Sequence, residues 1–303
     1  MQPLLVITGP TAVGKTALTI GLAKALDGEV ISADSMQVYR GMDIGTAKPT
    51  IAERAGVPHH LIDIAEPIQP YDVAQFVSDA TAAIADIAGR GKLPILSGGT
   101  GLYICSLLDG ADFSDGARDE AYRASLSETD ADTLHAMLAA CDPESAAKIH
   151  KNNRPRVIRA LEYFHATGKP LSQHKNRNNP PPYRTTLLVL ERPRDELYAR
   201  IDRRVDDMMA AGLPVEVRRL LENGVSPGEN AMQGLGYKEL VWYLHGRCTL
   251  TEAVYLLKRN TRRYAKRQLT WWRSRSDAHW LPAASSIDEV LAQFPQIKRR
   301  QLQ

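Results

Sequence analysis

Apolar positions along this chain follow two rhythms that alternate. Leu4–Thr8 is a short unbroken apolar run ending at Gly9, the pattern of a strand buried on both faces. Thr16–Leu26 repeats apolar positions at helical spacing and stops near Asp27-Gly28. Glu29–Ser32 reads as a second strand, followed by a loop from Asp34. Val73–Ile87 is an alanine-rich helix, and Leu93–Leu96 a third strand that runs into Ser97-Gly98-Gly99-Thr100-Gly101. Strand–helix alternation of this kind predicts a parallel α/β sheet.

After Gly110 the strand rhythm disappears. Leu134–Leu138, Glu144–Ile149 and Arg156–Ala166 read as short helices, with Pro155 at a helix start and Gly168-Lys169-Pro170 at an end. Asn176–Pro182 is polar and then proline-rich, as a linker is. Thr185–Leu190 is strand-like again, and 195–275 is mostly helical, with no internal repeat. The chain therefore divides into a first core segment (1–111), a helical insertion (112–182) and a second core segment (183–303).

Composition narrows the class. The 303 residues are 44% hydrophobic and 24% charged, ordinary for a globular protein. No apolar run approaches the roughly 18 residues that span a bilayer, so no membrane partner is expected. Cys105, Cys141 and Cys248 are too few and too scattered for a disulfide framework or a zinc pattern, which fits a reducing cytoplasm. The net charge of +3 is uneven: residues 1–110 hold 7 Lys/Arg against 11 Asp/Glu, and the remainder 31 against 24. Any surface for a polyanion therefore belongs to the later part of the chain.

Gly9-Pro10-Thr11-Ala12-Val13-Gly14-Lys15-Thr16 matches G-x-x-x-x-G-K-[ST] without a gap, between a strand and a helix. Such a loop turns backbone N–H groups toward phosphate oxygens. The helix N-terminus and Lys15 add positive potential, and Thr16 offers a hydroxyl to Mg²⁺. The motif implies a bound pyrophosphate-like group without saying which one.

Two further loops follow strands and so reach the same sheet edge. Asp34-Ser35-Met36-Gln37-Val38-Tyr39 opens with an aspartate suited to Mg²⁺, to proton transfer, or merely to an Asx-turn. Gly98-Gly99-Thr100-Gly101 allows close backbone approach to a ligand. The His59-His60 pair lacks further metal-ligand types nearby and is read as structural.

Lys258–Arg275 contains eight Lys/Arg and no acid. Val254, Leu257, Thr261, Tyr264, Ala265, Gln268 and Trp272 recur at helical spacing and can face a core. Arg259, Arg262, Arg263 and Lys266 then form one stripe, suited either to a nucleic-acid backbone or to solvent.

Taken in order, these segments resemble the bacterial tRNA dimethylallyltransferases (tRNA isopentenyltransferases). The resemblance is carried by Gly9–Thr16, Asp34–Tyr39 with Gly45-Thr46-Ala47-Lys48-Pro49, Pro58–Asp63, Gly98–Tyr103, Arg156–Glu162, Gly234–Glu239 and Tyr264-Ala265-Lys266-Arg267-Gln268. It covers nearly the whole chain. One departure is Asn152-Asn153, where the family commonly has Asn-Asp.

The resemblance implies a P-loop NTPase-like core with a helical insertion that embraces a tRNA anticodon stem-loop. It implies transfer of a dimethylallyl group from dimethylallyl diphosphate to N6 of the adenosine 3′-adjacent to the anticodon, in tRNAs that read codons beginning with U. The two substrates would enter a tunnel through the core from opposite ends. Asp34 would be the general base, with Thr100 and Arg204 contacting the diphosphate beside Lys15 and Thr16. Asp34, Ser35, Met36, Gln37, Thr100, Arg123, Pro155, Arg156, Val157, Ile158, Arg159, Gln233, Gly234, Leu235, Gly236, Tyr237 and Lys238 would contact tRNA. Mg²⁺ would be the cofactor, and a cytoplasmic monomer the working form. The competing classes are a small-molecule kinase, a non-catalytic RNA-binding P-loop protein, and a transferase acting on free AMP.

Overall fold

The structure is a computed structural model of the whole chain, and it describes residues 1–111, 119–173 and 183–298. The expected linker Asn176–Pro182 falls outside them. The chain forms two compact units, Met1–Leu108 with Pro182–Gln303, and Asp109–Pro181.

The first unit runs β1 (Gln2–Thr8), α1 (Lys15–Ala25), β2 (Gly28–Ser32), α2 (Ile51–Arg54), β3 (His59–His60), α3 (Val73–Gly89), β4 (Leu93–Gly98) and α4 (Gly101–Leu108). The second unit supplies α5 (Glu120–Glu128), α6 (Ala131–Cys141), α7 (Pro143–Lys148) and α8 (Arg154–Thr167). The first unit then resumes with β5 (Tyr183–Glu191), α9 (Arg194–Ala210), α10 (Leu213–Glu222), α11 (Tyr237–Leu244), α12 (Leu250–Arg273), β6 (Ala278–Pro282), α13 (Ile287–Gln293) and α14 (Pro295–Lys298).

The six strands form one parallel sheet in the order β3-β2-β4-β1-β5-β6. Their side chains alternate between two cores. Leu4 and Val6 of β1 pack with α3, α4 and α10–α12, while Leu5 and Ile7 pack with α1, α9 and α13. Burial on both faces is why these strands read as continuous apolar runs. Each fully buried leucine or isoleucine contributes about 1.5–3 kcal/mol. Because β1 lies between β4 and β5 and the chain leaves it toward β2, its carboxyl end is a switch point, where open α/β sheets place ligands.

In the second unit, Leu126, Leu134, Leu138, Ala146, Val157, Ile158, Ala160 and Leu161 form a separate small core. Asp142 both starts α7, accepting from Ser145 N–H at 3.0 Å, and accepts from Ser172 N–H at 2.9 Å. Two strands have no counterpart in the apolar pattern. β3 consists of two histidines, and β6 joins the sheet edge through the mixed sequence Ala-His-Trp-Leu-Pro. Among the described residues, no helix is long and apolar enough to cross a membrane.

Candidate active site

Three loops converge at the carboxyl edge of the sheet. The first, Gly9–Gly14, leaves β1 and delivers Lys15 and Thr16 to the start of α1. Gly9 has φ 139°, and a Cβ there would stand 2.6 Å from the Leu190 carbonyl oxygen, so the tight exit from β1 requires glycine. The loop is gripped from α9 and its approach. Arg192 Nε donates to Val13 O at 2.8 Å, Arg200 Nε to Ala12 O at 2.9 Å, and Arg204 Nη1 to Thr11 Oγ1 at 3.4 Å. Lys15 Nζ folds back onto the Gly9 and Pro10 carbonyls at 3.0 and 2.9 Å. Burial, together with the neighbouring Arg204 charge, lowers the Lys15 ammonium to about 8, while Asp34 pulls the other way.

The second loop follows β2. Asp34 Oδ1 accepts the N–H groups of Met36 and Gln37 at 2.9 and 3.3 Å, so the Asx-turn is formed. Gln37 spends its amide inside the loop, accepting from Ser32 Oγ and donating to Thr46 O and Ala47 O. Lys48 is buried, and its Nζ meets Tyr39 O, Asp43 and Asp63 at 2.8, 2.7 and 2.5 Å. That explains why the 45–49 and 58–63 segments belong together.

The third loop follows β4. Thr100 Oγ1 accepts from Ser35 N–H at 3.1 Å, and Tyr264 of α12 hydrogen-bonds with Thr100. Burial and the Asp34 carboxylate push the Tyr264 hydroxyl up to about 12. Burial pulls the Arg204 guanidinium below its ordinary value, against the attraction of Asp34.

Two chambers result. One, of about 430 Å³, is lined by the 11–17 segment with Lys15 and Thr16, by Asp34 and Gly99, and by Arg200, Arg203 and Arg204. The other, of about 300 Å³, is lined by Asp34, Ser35, Met36, Gly45, Ile201, Val205, Met208, Leu257 and Gln233–Lys238 apart from Gly236. Thr11, Asp34, Thr46, Ala47, Arg204 and Tyr264 line both, so the chambers meet at the aspartate.

The structure thus brings Lys15, Thr16, Asp34, Thr100 and Arg204 into one neighbourhood, as the motifs and, for Arg204, the resemblance imply. It refines the remaining positions. Tyr237 is fully buried, with its hydroxyl on Glu216 Oε1 at 2.7 Å, and Gly236 N–H donates to Glu239 Oε2 at 2.9 Å. Both shape the wall that Leu235 and Lys238 present. In the second unit, Pro155, Arg156 and Arg159 are exposed, whereas Val157 and Ile158 face the core; helical period separates the two sets. Their side chains are therefore corrected from RNA contacts to packing. Arg123 pairs with Glu162 at 3.0 Å.

The basic stripe on α12 also changes. Lys258 pairs with Asp206 of α9 at 2.6 Å, and Arg262 pairs with Asp202 of the same helix, while Arg263, Lys266 and Arg267 remain exposed. Arg262 thus ties α12 to α9. His60 is structural as expected, with Nε2 on Glu29 at 2.8 Å. Arg90, hydrogen-bonded to Glu29, holds that carboxyl at about 2.

One buried acid that shapes the site carries no motif in the sequence. Glu216 of α10 is buried and accepts the N–H groups of Asp43, Ile44 and Gly45 at 2.9, 2.8 and 3.1 Å, besides the Tyr237 hydroxyl. Its signal was an acid on the apolar Leu213–Val217–Leu220 face of an amphipathic helix.

A parallel sheet with a phosphate-loop turn after its central strand, opening on two joined chambers, defines a P-loop-type α/β protein. The family model for IPP transferase matches residues 37–275, and that for isopentenyl transferase residues 2–66. The chain belongs to the IPP transferase family. A tRNA dimethylallyltransferase of Pelotomaculum thermopropionicum is 50% identical over 297 residues, covering 96% of this chain and 95% of that one. The structure of a tRNA isopentenylpyrophosphate transferase from Bacillus halodurans superposes with TM-score 0.75 at 45% identity, covering 99% of this chain and 97% of that one. A eukaryotic dimethylallyltransferase acting on tRNA gives TM-score 0.84 at 33% identity, with 99% and 78% covered.

Proposed function

We infer that the chain transfers a dimethylallyl group from dimethylallyl diphosphate to N6 of the adenosine 3′-adjacent to the anticodon, in tRNAs that read codons beginning with U. The observation that carries this reading is the meeting of the two chambers at Asp34. The chamber with Lys15 and three arginines suits a diphosphate. The other has apolar walls with Gln233, Lys238 and Arg267 among them, which suits a flat base extruded from an RNA loop.

The N6 amine is a weak nucleophile because its lone pair is delocalised into the ring. The reaction therefore needs a stabilised leaving group and a proton acceptor. Nitrogen bonds to the allylic carbon, the C–O bond breaks, and diphosphate departs with the electron pair. Lys15, Arg204 and the backbone N–H groups at the start of α1 take up its charge. Asp34, with Oδ1 held by the loop, has Oδ2 to orient the amine and receive its proton.

The donor set fits Mg²⁺: the exposed Thr16 hydroxyl at the first turn of α1 is a hard oxygen ligand beside the diphosphate chamber. Bound there, the ion would neutralise diphosphate charge. RNA contact involves Arg263, Lys266 and Arg267 on the first unit, and Arg156 and Arg159 on the second. Since one chain lines both chambers, a monomer suffices, working in the cytoplasm with tRNA.

The test is incubation with dimethylallyl diphosphate, Mg²⁺ and unmodified tRNA, followed by mass analysis of nucleosides. N6-isopentenyladenosine in tRNA is the expected product. Product on free AMP alone, or ADP release from ATP without tRNA, would overturn the reading.

A further inference from the structure

Gln268 lies on α12 at 6% exposure, with its amide between two loops of the site. Its Oε1 accepts the Thr11 N–H at 2.9 Å, and its Nε2 donates to the Gly99 carbonyl at 2.8 Å. Thr11 belongs to the phosphate loop and lines both chambers. Gly99 directly precedes Thr100, whose hydroxyl holds Ser35 next to Asp34. A Cβ on Gly99 would stand 2.4 Å from the Gln268 nitrogen, so glycine is what admits the amide this closely.

A primary amide is a neutral group that donates and accepts from one rigid plane. Both of its bonds reach main-chain atoms, the one to Gly99 buried and the one from Thr11 partly buried, so neither loop can shift without breaking one. We propose that Gln268 is a positioning residue: it sets the separation between the loop that carries the leaving diphosphate and the loop that presents the attacking amine. This rests on the prenyl-transfer reading above.

The consequence concerns timing. Once the allylic C–O bond weakens, the carbon takes whichever nucleophile stands nearest. With the loops at their proper spacing that is the N6 amine. With the spacing relaxed, water takes its place, giving dimethylallyl alcohol and diphosphate, with the water proton passing to solvent. Misplacement of reacting groups by about 1 Å costs on the order of 10²-fold in rate.

Two variants test this. Gln268→Met keeps length and removes both hydrogen bonds. Gln268→Glu keeps the acceptor for Thr11 but sets a carboxylate oxygen against the Gly99 carbonyl. Each would be compared with wild type for dimethylallyl diphosphate and tRNA dissociation constants, single-turnover transfer rate, and the ratio of dimethylallyl alcohol to modified tRNA. We expect transfer to slow about 10–100-fold, both dissociation constants to stay within about threefold, and the alcohol ratio to rise. A protonated glutamate restores the donor, so the Gln268→Glu deficit relative to wild type should shrink as pH falls. If the Met variant does not fold, the Glu variant decides. A rate that falls only as far as affinity falls, with the alcohol ratio at the wild-type value, would overturn the proposal. Wild-type protein that yields no modified tRNA would instead overturn the function it rests on.

Discussion

The Met36 N–H donates to Asp34 Oδ1 over 2.9 Å, and this bond fixes how the aspartate faces the chambers. One oxygen builds the turn, and the other is left for chemistry. Asp34→Asn keeps the turn, because an amide oxygen also accepts, but it cannot take the amine proton. A positioned base is worth about 10²–10⁴ in rate. The expected outcome is a kcat lower by that order with diphosphate affinity little changed. If Asp34 chiefly served Mg²⁺, affinity would collapse instead and raised Mg²⁺ would restore it. Single-turnover rates and diphosphate Kd across a Mg²⁺ series separate the two.

On α12, exposed Arg263 and Lys266 differ from Arg262, which is paired with Asp202. Reversing charge at Arg263 and Lys266 together should weaken tRNA binding and reduce the log–log salt slope by roughly 0.7–0.9 per lost phosphate contact. Arg262→Glu should act first on Tm, because it sets two acids face to face between α9 and α12. An unchanged slope in the double variant would mark the face as merely solvated.

These contrasts show how far the sequence could be read. The sheet and the phosphate loop were legible because strands buried on both faces leave unbroken apolar runs, and the loop's glycines answer a local backbone demand. Thr100 and Asp34 were legible because parallel strands end on one edge. The pairing of Arg262 was not legible because a helix read alone does not show the acids Asp202 and Asp206 on its neighbour. β3 was missed because two histidines carry no strand pattern; the sheet pairing of His59 with Val30 supplies it. Glu216 and the bridging role of Gln268 depend on contacts across 171 and 257 residues, which no local window contains.

Glu216 supports a prediction of its own. Four donors converge on it, three of them main-chain N–H groups of the Asp43–Gly45 turn. Glu216→Gln replaces an acceptor oxygen by an NH₂ facing donors. Leaving buried donors unpaired costs about 1–3 kcal/mol. Gly45 and Tyr237 line the tRNA-side chamber. The variant should therefore show a lower Tm and a higher KM for tRNA, with KM for dimethylallyl diphosphate near wild type. Equal changes in both KM values would show that the clamp serves the whole core instead.

Lys15 makes diphosphate binding depend on pH. Its ammonium titrates near 8 in the free protein because it is desolvated and stands by Arg204. Below that pH the cation is present and ready for a diphosphate. Above it, binding must draw a proton from solvent, since the complex needs the charged form. Diphosphate Kd should therefore be nearly flat from pH 7 to 8 and weaken toward tenfold per unit above it. Calorimetry in two buffers of different ionisation enthalpy should count close to one proton taken up at pH 9. Lys15→Arg carries a permanent charge and should lose the pH slope even though its fork fits the loop less well. Stability moves the opposite way. The folded value lies below the unfolded 10.5, so between about 8 and 10.5 the unfolded chain holds more protons and stability rises with pH. Below 8 the buried cation is a cost in the free protein. Lys15→Met should accordingly raise Tm at pH 7 while abolishing transfer. A Kd unchanged from pH 7 to 9.5 would remove Lys15 titration from the binding step.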